Sequence, residues 1–330
     1  MNPTWDVLGI GAVAVDDLVY VDGYPPPDTK VPIIEERREG GGLAATALVT
    51  VARLGGRAAY LGVLGDDSLS RFAITELERA GVDCSRVRRR TDARPIHSVI
   101  IVDRRTGQRT LFYSLAGVAD PEAADITPEV IGACRVLLVD SSVAIAALRA
   151  VDLAHRAGVP VVADLEDPDS VGVPELVGEV DHLIVGLDFA RGLTGTGSPE
   201  EMLHALWLPS HAACVVTAGD RGCWYLARET GGEVQHRPAR RVRVVDTNGC
   251  GDVFHGAYAA RIARGDTVAS AIAVATIAAA QKATQPGGRR GIPDWPTVVR
   301  LLEATGRIET SGPSRTDGTR PTQAAIGPQA

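Results

Sequence analysis

The chain has 330 residues, 45% of them apolar and 23% charged, which is the composition of an ordinary globular protein. A net charge of −7 argues against a dedicated surface for nucleic acid or for anionic membranes, because both need basic stripes. The five cysteines form no CxxC pair and the seven histidines no HxxxH pair, so the chain offers no zinc framework and fits a reducing, cytoplasmic compartment.

Short β-branched runs alternate with helical patterns along most of the chain. The first strand, 5–10, follows the N-terminus almost at once, without the basic and apolar regions of a secretory signal. Further strands are predicted at 58–64, 136–139, 159–164, 182–187, 213–217 and 242–245. Helices are predicted at 44–54, 68–80, 143–157, 199–208, 253–263 and 268–280. This βαβ alternation indicates an α/β fold with a mainly parallel sheet covered by helices, whose ligands lie at the carboxyl ends of the strands.

Two regions break this alternation. Residues 13–31 and 96–115 have the pattern of consecutive strands, with turn signals at Pro25-Pro26-Pro27 and at Arg105-Thr106-Gly107. Strands without helices between them predict a small antiparallel sheet that stands off the main domain. We expect this sheet, from roughly 13–40 and 96–115, to be a lid over the substrate or a homodimer contact.

From residue 306 onward the chain is rich in Thr, Ser, Gly, Pro and Gln and poor in apolar residues. Such a composition cannot form a packed core, which predicts a disordered tail over 306–330. The rest, 1–305, is expected to be a single domain. Its most apolar helix, 268–280, is too short for a bilayer, which takes roughly 20 apolar residues.

The most informative motif is Asp246-Thr247-Asn248-Gly249-Cys250-Gly251-Asp252, between the strand at 242–245 and the helix at 253–263. A glycine-rich strand-to-helix turn presents unpaired amide groups at the positive end of a helix dipole, so it can hold an anion. The amides of Gly249, Cys250 and Gly251 are placed to stabilise a transferring phosphoryl group. Asp252 beside them can accept the proton of the attacking nucleophile, so the turn predicts a phosphotransferase centre.

A glycine-rich turn can also do no more than reverse the chain, as in many α/β proteins. The two flanking aspartates and the following residues 254–256 favour the catalytic interpretation. Cys250 fits as a small residue that allows close approach, since no histidine stands beside it in sequence to activate its thiol.

The sequence DTNGCGDVFHGAY resembles the C-terminal signature DTxGAGDxFxxG of the PfkB, or ribokinase-like, sugar kinases. Further segments resemble family motifs in the same order along the chain, at 11–16, 41–46, 52–67 and 217–222. The resemblance extends from about Val7 to Val299. It implies a ribokinase-like three-layer α/β/α sandwich with a mainly parallel central sheet and a small β-sheet lid.

On the substrate side, the resemblance implies that Asp252 deprotonates a sugar hydroxyl and that Gly249, Cys250 and Gly251 form the anion hole. Asp16 is expected to bind sugar hydroxyl groups through its two acceptor oxygens. The remaining positions expected at the substrate are Gly42, Thr46, Asp28 and Arg109. For the arginine, the alternative is a solvated side chain in a hairpin.

On the nucleotide side, the resemblance implies ATP as the phosphoryl donor, with Mg²⁺ held mainly by phosphates and water. The segment 283–292 resembles the loop that closes over adenine and, in many relatives, supplies carbonyl oxygens to a monovalent cation such as K⁺. Asp246 and Asn248 are the other expected ligands of this cation, although capping of the turn explains Asp246 equally well. The expected nucleotide contacts are Thr217, Gly219, Gly222, Gln285 and Gly288.

Two positions depart from the family pattern. The sugar-contacting Asn of the segment GGxxxN is Thr46 here, so a hydroxyl replaces an amide. The NxxE motif, which organises magnesium and water in the family, should fall at 186–189 and is absent. Asp188 could substitute for it, but a solvated aspartate at the start of a helix is the favoured interpretation. His97 and His255 are expected to be structural.

The sub-family signals are divided. GGGLAAT, GDVFHGA and the segment 285–293 resemble a branch that includes 6-deoxy-6-sulfofructose kinase. The sulfonate-binding Asn and Arg of that enzyme should lie at Tyr113 and Ser142, and neither side chain can hold a sulfonate as a guanidinium does. Resemblance to ketohexokinase is carried instead by Asp28, 107–110 and 165–168.

We therefore expect an ATP-dependent kinase that phosphorylates a hydroxymethyl group of a monosaccharide, a ketose or a related sugar. The alternatives are a 6-deoxy-6-sulfofructose kinase, a nucleoside kinase and a catalytically silent sugar- or nucleotide-binding homologue. A nucleoside kinase needs aromatic platforms for the base, and only 4% of the residues are aromatic. The loss of NxxE motivates the silent homologue, and the intact Asp252 opposes it.

Overall fold

Two β-sheets and a set of helices make up the structure, a computed structural model that describes the backbone of residues 3–309 and side chains as far as residue 304. The strands are β1 (Trp5–Ile10), β2 (Ala14–Val21), β3 (Glu35–Gly41), β4 (Ala58–Leu64), β5 (Val82–Arg89), β6 (Ile96–Asp103), β7 (Arg109–Ser114), β8 (Cys134–Asp140), β9 (Val161–Leu165), β10 (His182–Gly186), β11 (Ala213–Thr217), β12 (Cys223–Ala227) and β13 (Gln235–Arg237). The helices are α1 (Leu43–Arg53), α2 (Ser68–Arg79), α3 (Pro128–Ile131), α4 (Ala144–Ala157), α5 (Val173–Glu179), α6 (Leu187–Thr194), α7 (Pro199–Leu206), α8 (Cys250–Ile262), α9 (Val268–Lys282) and α10 (Trp295–Glu309). The tail predicted over 306–330 begins within α10, and from residue 310 onward it lies outside the described residues.

The larger sheet has nine strands in the order β13-β12-β11-β10-β9-β8-β1-β4-β5. Neighbouring strands from β11 through to β5 pair in parallel, and β12 and β13 pair antiparallel. Because the parallel strands point the same way, their carboxyl ends meet at one edge of the sheet. The predicted mainly parallel sheet is confirmed, and this edge is where the site is built.

Helices cover both faces of the nine-stranded sheet. Successive residues of β8 alternate between two buried clusters. Val136 and Leu138 pack in a cluster with α1, α8 and α9, whereas Leu137 and Val139 pack in a cluster with α4 and α5. A run of apolar residues without polar alternation thus marks a strand that is buried on both faces. The structure is the predicted three-layer α/β/α sandwich.

The smaller sheet has four strands in the order β3-β2-β6-β7. It contains the segments predicted for the lid, and Gly107 turns the chain between β6 and β7 with a left-handed backbone (φ 73°). The predicted antiparallel pairing holds for β2 with β3 and for β6 with β7, whereas β2 and β6 pair in parallel, which the prediction did not include. These strands follow β1 and β5, which are parallel members of the main sheet, so both leave its edge in the same direction.

The strand predicted at 242–245 does not form. Val244 and Val245 are more than half exposed, and the Val245 amide donates to the Ala283 carbonyl (2.8 Å) without joining either described sheet. β-branched residues suggested a strand, but the chain here has already left the edge strand β13. The helix predicted at 268–280 is α9, and among the described helices none is long and apolar enough to cross a membrane.

A buried carboxylate at the end of β8 fixes the elements around the site. Asp140 accepts hydrogen bonds through Oδ2 from the amides of Ala12 (2.7 Å) and Ala44 (3.0 Å). Its Oδ1 accepts from the amide (2.9 Å) and from the hydroxyl of Ser142. Residue 11 is glycine because a Cβ there would overlap the Asp140 carboxylate. This carboxylate joins the junction of β1 and β2 to the N-terminus of α1.

Candidate active site

The turn that leads into helix α8 is built around Gly249. This residue precedes the helix with a left-handed backbone (φ 76°), and a Cβ there would lie 2.6 Å from the carbonyl oxygen of Gly288, so only glycine fits. The amide of Cys250 donates to the Thr247 carbonyl (3.2 Å), whereas the amides of Gly249 and Gly251 donate to no other group that the structure describes. Two of the three predicted anion-hole amides are therefore unpaired at the positive end of α8.

Asp252 lies on the first turn of α8 and lines a cavity of about 680 Å³. The walls of the cavity come from the carboxyl ends of β9, β10 and β11 together with this turn. Burial raises the pKa of the Asp252 carboxyl group well above its usual value, the charge of Asp164 adds to the shift, and His255 opposes it. A carboxylate that faces a cavity beside unpaired amides can deprotonate an alcohol bound there.

Two carboxylates that were not among the predicted site residues share this cavity. Asp164 belongs to β9 and is only 5% exposed, and Glu166 follows the same strand. Burial raises the pKa of both carboxyl groups, and the negative charge of Glu166 adds to the shift at Asp164. A signal for them existed in the sequence, since acidic residues at the carboxyl end of a buried parallel strand face the ligand edge of the sheet.

His255 connects helix α8 to the sheet and also lines the cavity. Its Nδ1 lies 2.8 Å from the Gly251 carbonyl oxygen and 3.2 Å from Oδ2 of Asp164. Its Nε2 lies 3.0 Å from the carbonyl oxygen of Ile184 in β10, and burial lowers the pKa of the ring. These contacts support the predicted structural role and place the ring next to Asp164.

A guanidinium reaches the substrate side of the turn from the loop after α9. Arg289 donates from Nε to Oγ1 of Thr46 (3.1 Å) and from Nη2 to the Gly41 carbonyl (2.7 Å). Burial lowers the pKa of the guanidinium to about 10, and the negative charges of Asp252 and Asp16 oppose this shift. Arg289 therefore interacts with both the predicted base and the predicted sugar-binding carboxylate. This arginine was not among the predicted site residues.

Two of the predicted sugar-binding residues, Asp16 and Thr46, interact with this guanidinium, and Gly42 follows the glycine whose carbonyl it contacts. Asp16 lies within strand β2 of the smaller sheet, where burial raises the pKa of its carboxyl group and a hydrogen bond from Ser98 opposes the shift. Thr46 is buried in α1 and accepts from Arg289. Gly42 precedes α1 with a left-handed backbone (φ 93°) and passes so close to the junction of β1 and β2 that a side chain would overlap it. Close packing thus requires glycine at this position.

Asp246 and Asn248, the predicted cation ligands, are arranged as a capped turn. The carboxylate of Asp246 accepts from the Asn248 amide (2.8 Å) and from the Gly287 amide (2.9 Å). It also lies 3.4 Å from the guanidinium of Arg109, and the ammonium group of buried Lys282 donates to the Asp246 carbonyl (2.9 Å). These contacts fit the capping alternative, and the cation site stays a prediction.

The residues predicted at the nucleotide fall into two groups. Thr217 and Gly219, at the end of β11, line the cavity. Gly222 is not among its lining residues, and a Cβ there would overlap the carbonyl group at the end of β13, so packing explains this glycine. Gln285 and Gly288 lie in the loop after α9, where Gln285 is exposed and Gly288 packs against the turn before α8.

The structure also locates the positions on which the sub-family interpretation depended. Arg109 begins strand β7 of the smaller sheet and contacts the turn through Asp246. Asp28 lies exposed between β2 and β3 with a left-handed backbone (φ 60°), and it stays a predicted contact. The side chain of Asp188 is 94% exposed and pairs with Arg191 (2.8 Å), which confirms the solvated interpretation.

Comparison with known proteins places this chain in a family. Residues 6–295 match the model of the pfkB family carbohydrate kinases. Fructokinase-1 of Oryza sativa subsp. japonica is 30% identical over 327 residues, which span 90% of this chain and 98% of the rice protein.

The solved structures agree with this match. The structure of a "putative ribokinase" from Agrobacterium tumefaciens is 30% identical with a TM-score of 0.84, covering 92% of this chain and 99% of its own. Arabidopsis thaliana ribokinase, complexed with ribose and ATP, has the same fold with a TM-score of 0.80 at 22% identity, covering 92% of this chain and 99% of its own. The chain belongs to the pfkB family of carbohydrate kinases, which are phosphotransferases that act on sugars.

Proposed function

We propose that this enzyme transfers the γ-phosphoryl group of ATP to a hydroxymethyl group of a monosaccharide, a ketose or a related sugar. The position of Asp252 carries the proposal, because its carboxylate faces the cavity beside the unpaired amides of Gly249 and Gly251. Similarity to a fructokinase over nearly the whole chain supports a ketose as the acceptor. The ATP bound by a ribokinase of the same fold supports ATP as the donor.

In the proposed reaction, the protein contributes mainly by positioning the reactants and by stabilising charge. Asp252 accepts the proton of the sugar hydroxyl while the oxygen of that hydroxyl bonds to the γ-phosphorus. The bond from that phosphorus to the β–γ bridging oxygen breaks, which leaves ADP. The amides of Gly249 and Gly251 donate to the phosphoryl oxygens, and one such donor typically lowers the barrier by about 3 kcal/mol.

Coupled measurement of ADP release across a panel of sugars tests the proposed function. The panel contains ketohexoses, ribose, 6-deoxy-6-sulfofructose and nucleosides, each with ATP and Mg²⁺. We expect the highest kcat/KM for a ketose, and phosphorus NMR of the product should show the ester of a primary alcohol. A preference for the sulfosugar or for a nucleoside would replace the proposed acceptor. A lack of turnover with any sugar, despite ATP binding, would support the silent homologue.

Arg289→Gln should raise the KM for the sugar by about tenfold while changing the KM for ATP by less than about threefold. The guanidinium lies against Thr46 and interacts with Asp16, so we propose that it donates to sugar oxygens in place of the amide that the family pattern has at residue 46. A charge-assisted hydrogen bond of this kind is worth about 1.5–3 kcal/mol, which corresponds to roughly tenfold or more in binding.

Arg290→Gln is the matched control for this variant. Arg290 is the next residue along the same loop. Its guanidinium is half-exposed and pairs with Glu39 of β3 (2.8 Å). The control should leave both KM values within about twofold, because the ion pair recorded for this guanidinium is with Glu39 and not with the carboxylates of Asp16 or Asp252. Equal effects of the two substitutions, or a larger change in the KM for ATP than for the sugar, would contradict a sugar contact from Arg289.

The homodimer through the lid strands also remains a proposal. Strand β7 is exposed along its whole length, including the apolar residues Leu111, Phe112 and Tyr113. Val99 of β6 pairs with Phe112 and is exposed as well, so the apolar surface continues over two strands. An exposed apolar sheet edge of this kind favours packing against a second copy of the chain, which supports the proposed homodimer.

A further inference from the structure

The cavity beside Asp252 is strongly acidic. Among its lining residues there is one histidine, His255, and no lysine or arginine. Five carboxylates line it, namely Asp164, Glu166, Asp167, Asp188 and Asp252. A nucleoside triphosphate brings several further negative charges, and like charges at close range repel each other strongly where water is scarce. The wall that would face the phosphates therefore needs a cation.

One of these carboxylates has a buried oxygen without a hydrogen-bond donor among the described residues. Asp164 is only 5% exposed, and its Oδ2 has no hydrogen-bond partner among the described residues. His255 lies 3.2 Å from this oxygen, but its Nδ1 is aligned with the Gly251 carbonyl at 2.8 Å. Asp140 differs, because both of its oxygens accept hydrogen bonds. A buried carboxylate oxygen without a donor is costly unless a cation binds it.

The neighbouring strand offers no comparable ligand. Asp164 of β9 lies in register with Ile184 of β10, and the cavity continues past the end of both strands. After β10 the acidic residue is Asp188, whose side chain is 94% exposed and already paired with Arg191. Just beyond the end of β9 it is Glu166, two residues after Asp164, and both residues line the cavity.

We propose that Asp164 and Glu166 form the protein's part of a divalent-cation site, which holds the Mg²⁺ that accompanies the nucleotide. Mg²⁺ is typically bound by one or two carboxylates together with phosphate oxygens and water. The absence of any group of three or more ligating residues among those described fits a site that the nucleotide completes. The ion supplies charge neutralisation on the phosphate oxygens. This inference rests on the proposed use of ATP, whereas the choice of sugar does not affect it.

Calorimetric titration with the non-hydrolysable analogue AMP-PNP tests the site without any turnover. The wild-type protein should bind the analogue at least about tenfold more tightly with Mg²⁺ than in EDTA. Glu166→Gln and Asp164→Asn should each weaken binding in Mg²⁺ by about tenfold, as expected for lost metal contacts. In EDTA the same variants should bind the analogue more tightly than the wild type, because a charge that repels the phosphates has been removed.

Asp188→Asn is the matched control, since this residue lines the same cavity but is already paired. It should leave both affinities within about twofold. A magnesium preference that survives in Glu166→Gln and Asp164→Asn, or is lost in Asp188→Asn, overturns the assignment to β9. If the wild type binds AMP-PNP equally well with and without Mg²⁺, the site is refuted while the proposed kinase stands. If it binds no nucleotide at all, both proposals fail.

Discussion

Asp252→Asn should lower kcat by about 10³-fold and leave the affinity for AMP-PNP within a few-fold. The substitution keeps the shape of the side chain and removes its ability to accept the proton of the sugar hydroxyl, a function typically worth 10²–10⁴-fold in rate. The unpaired amides of Gly249 and Gly251 remain, so the phosphates should bind almost as before. Steady-state assays with the preferred sugar and calorimetry with the analogue measure the two effects separately. Turnover within about tenfold of the wild type would refute the base assignment.

A stability measurement shows whether the variant loses activity through damage to the fold. Burial, reinforced by Asp164, raises the pKa of the Asp252 carboxyl group in the folded enzyme above that of the unfolded chain. The folded state therefore binds more protons between these two pKa values, and the free energy of unfolding falls as pH rises through this window. Asparagine does not titrate, so the variant keeps the free energy of unfolding that the wild type loses when Asp252 deprotonates. Its melting temperature should therefore exceed that of the wild type at pH 8, and the difference should shrink toward pH 4. A lower melting temperature at pH 8 would mean that the substitution destabilises the folded enzyme and that this accounts for the loss of activity.

The parts of the fold that the sequence predicted well are those with a strong local signal. The turn from Asp246 to Asp252 joins glycines, flanking aspartates and a following helix in a single segment, so its place at the start of α8 followed directly. The buried strands β4 and β11 were predicted with their observed bounds, because their apolar runs lie between clear breaks. The strand at 242–245 failed because the composition of a segment does not show whether a partner strand is within reach.

The parts of the site that the sequence did not reveal depend on contacts between distant segments. Arg289 and Thr46 are 243 positions apart, and nothing in the loop around the arginine indicates that its guanidinium folds back onto α1. Asp164 and Glu166 had a visible signal at the end of a predicted strand. Their importance became apparent only when α8 brought Asp252 and His255 to the same cavity. Titratable groups that crowd one cavity are a property of the folded chain.

Asp140→Ala should lower the free energy of unfolding by at least about 3 kcal/mol, a large part of the 5–15 kcal/mol typical of a domain. The substitution leaves the amides of Ala12, Ala44 and Ser142 without their acceptor, and each unsatisfied buried donor costs about 1–3 kcal/mol. Urea denaturation should show a lower midpoint with an unchanged slope. Asp188→Ala, at an exposed carboxylate, should stay within about 0.5 kcal/mol of the wild type.

Asp140→Asn separates the loss of hydrogen bonds from the loss of volume. Its carbonyl oxygen can still accept from Ala12 and Ala44, while its amide group faces Ser142, whose hydroxyl can accept in turn. This variant should therefore lose about half as much stability as the alanine variant, because two of the backbone donors keep an acceptor. Equal losses in both variants would mean that the negative charge itself, and not the set of acceptors, holds β1, β2 and α1 together. An alanine variant as stable as the wild type would show that these amides find other acceptors, and that Asp140 is not what positions this side of the site.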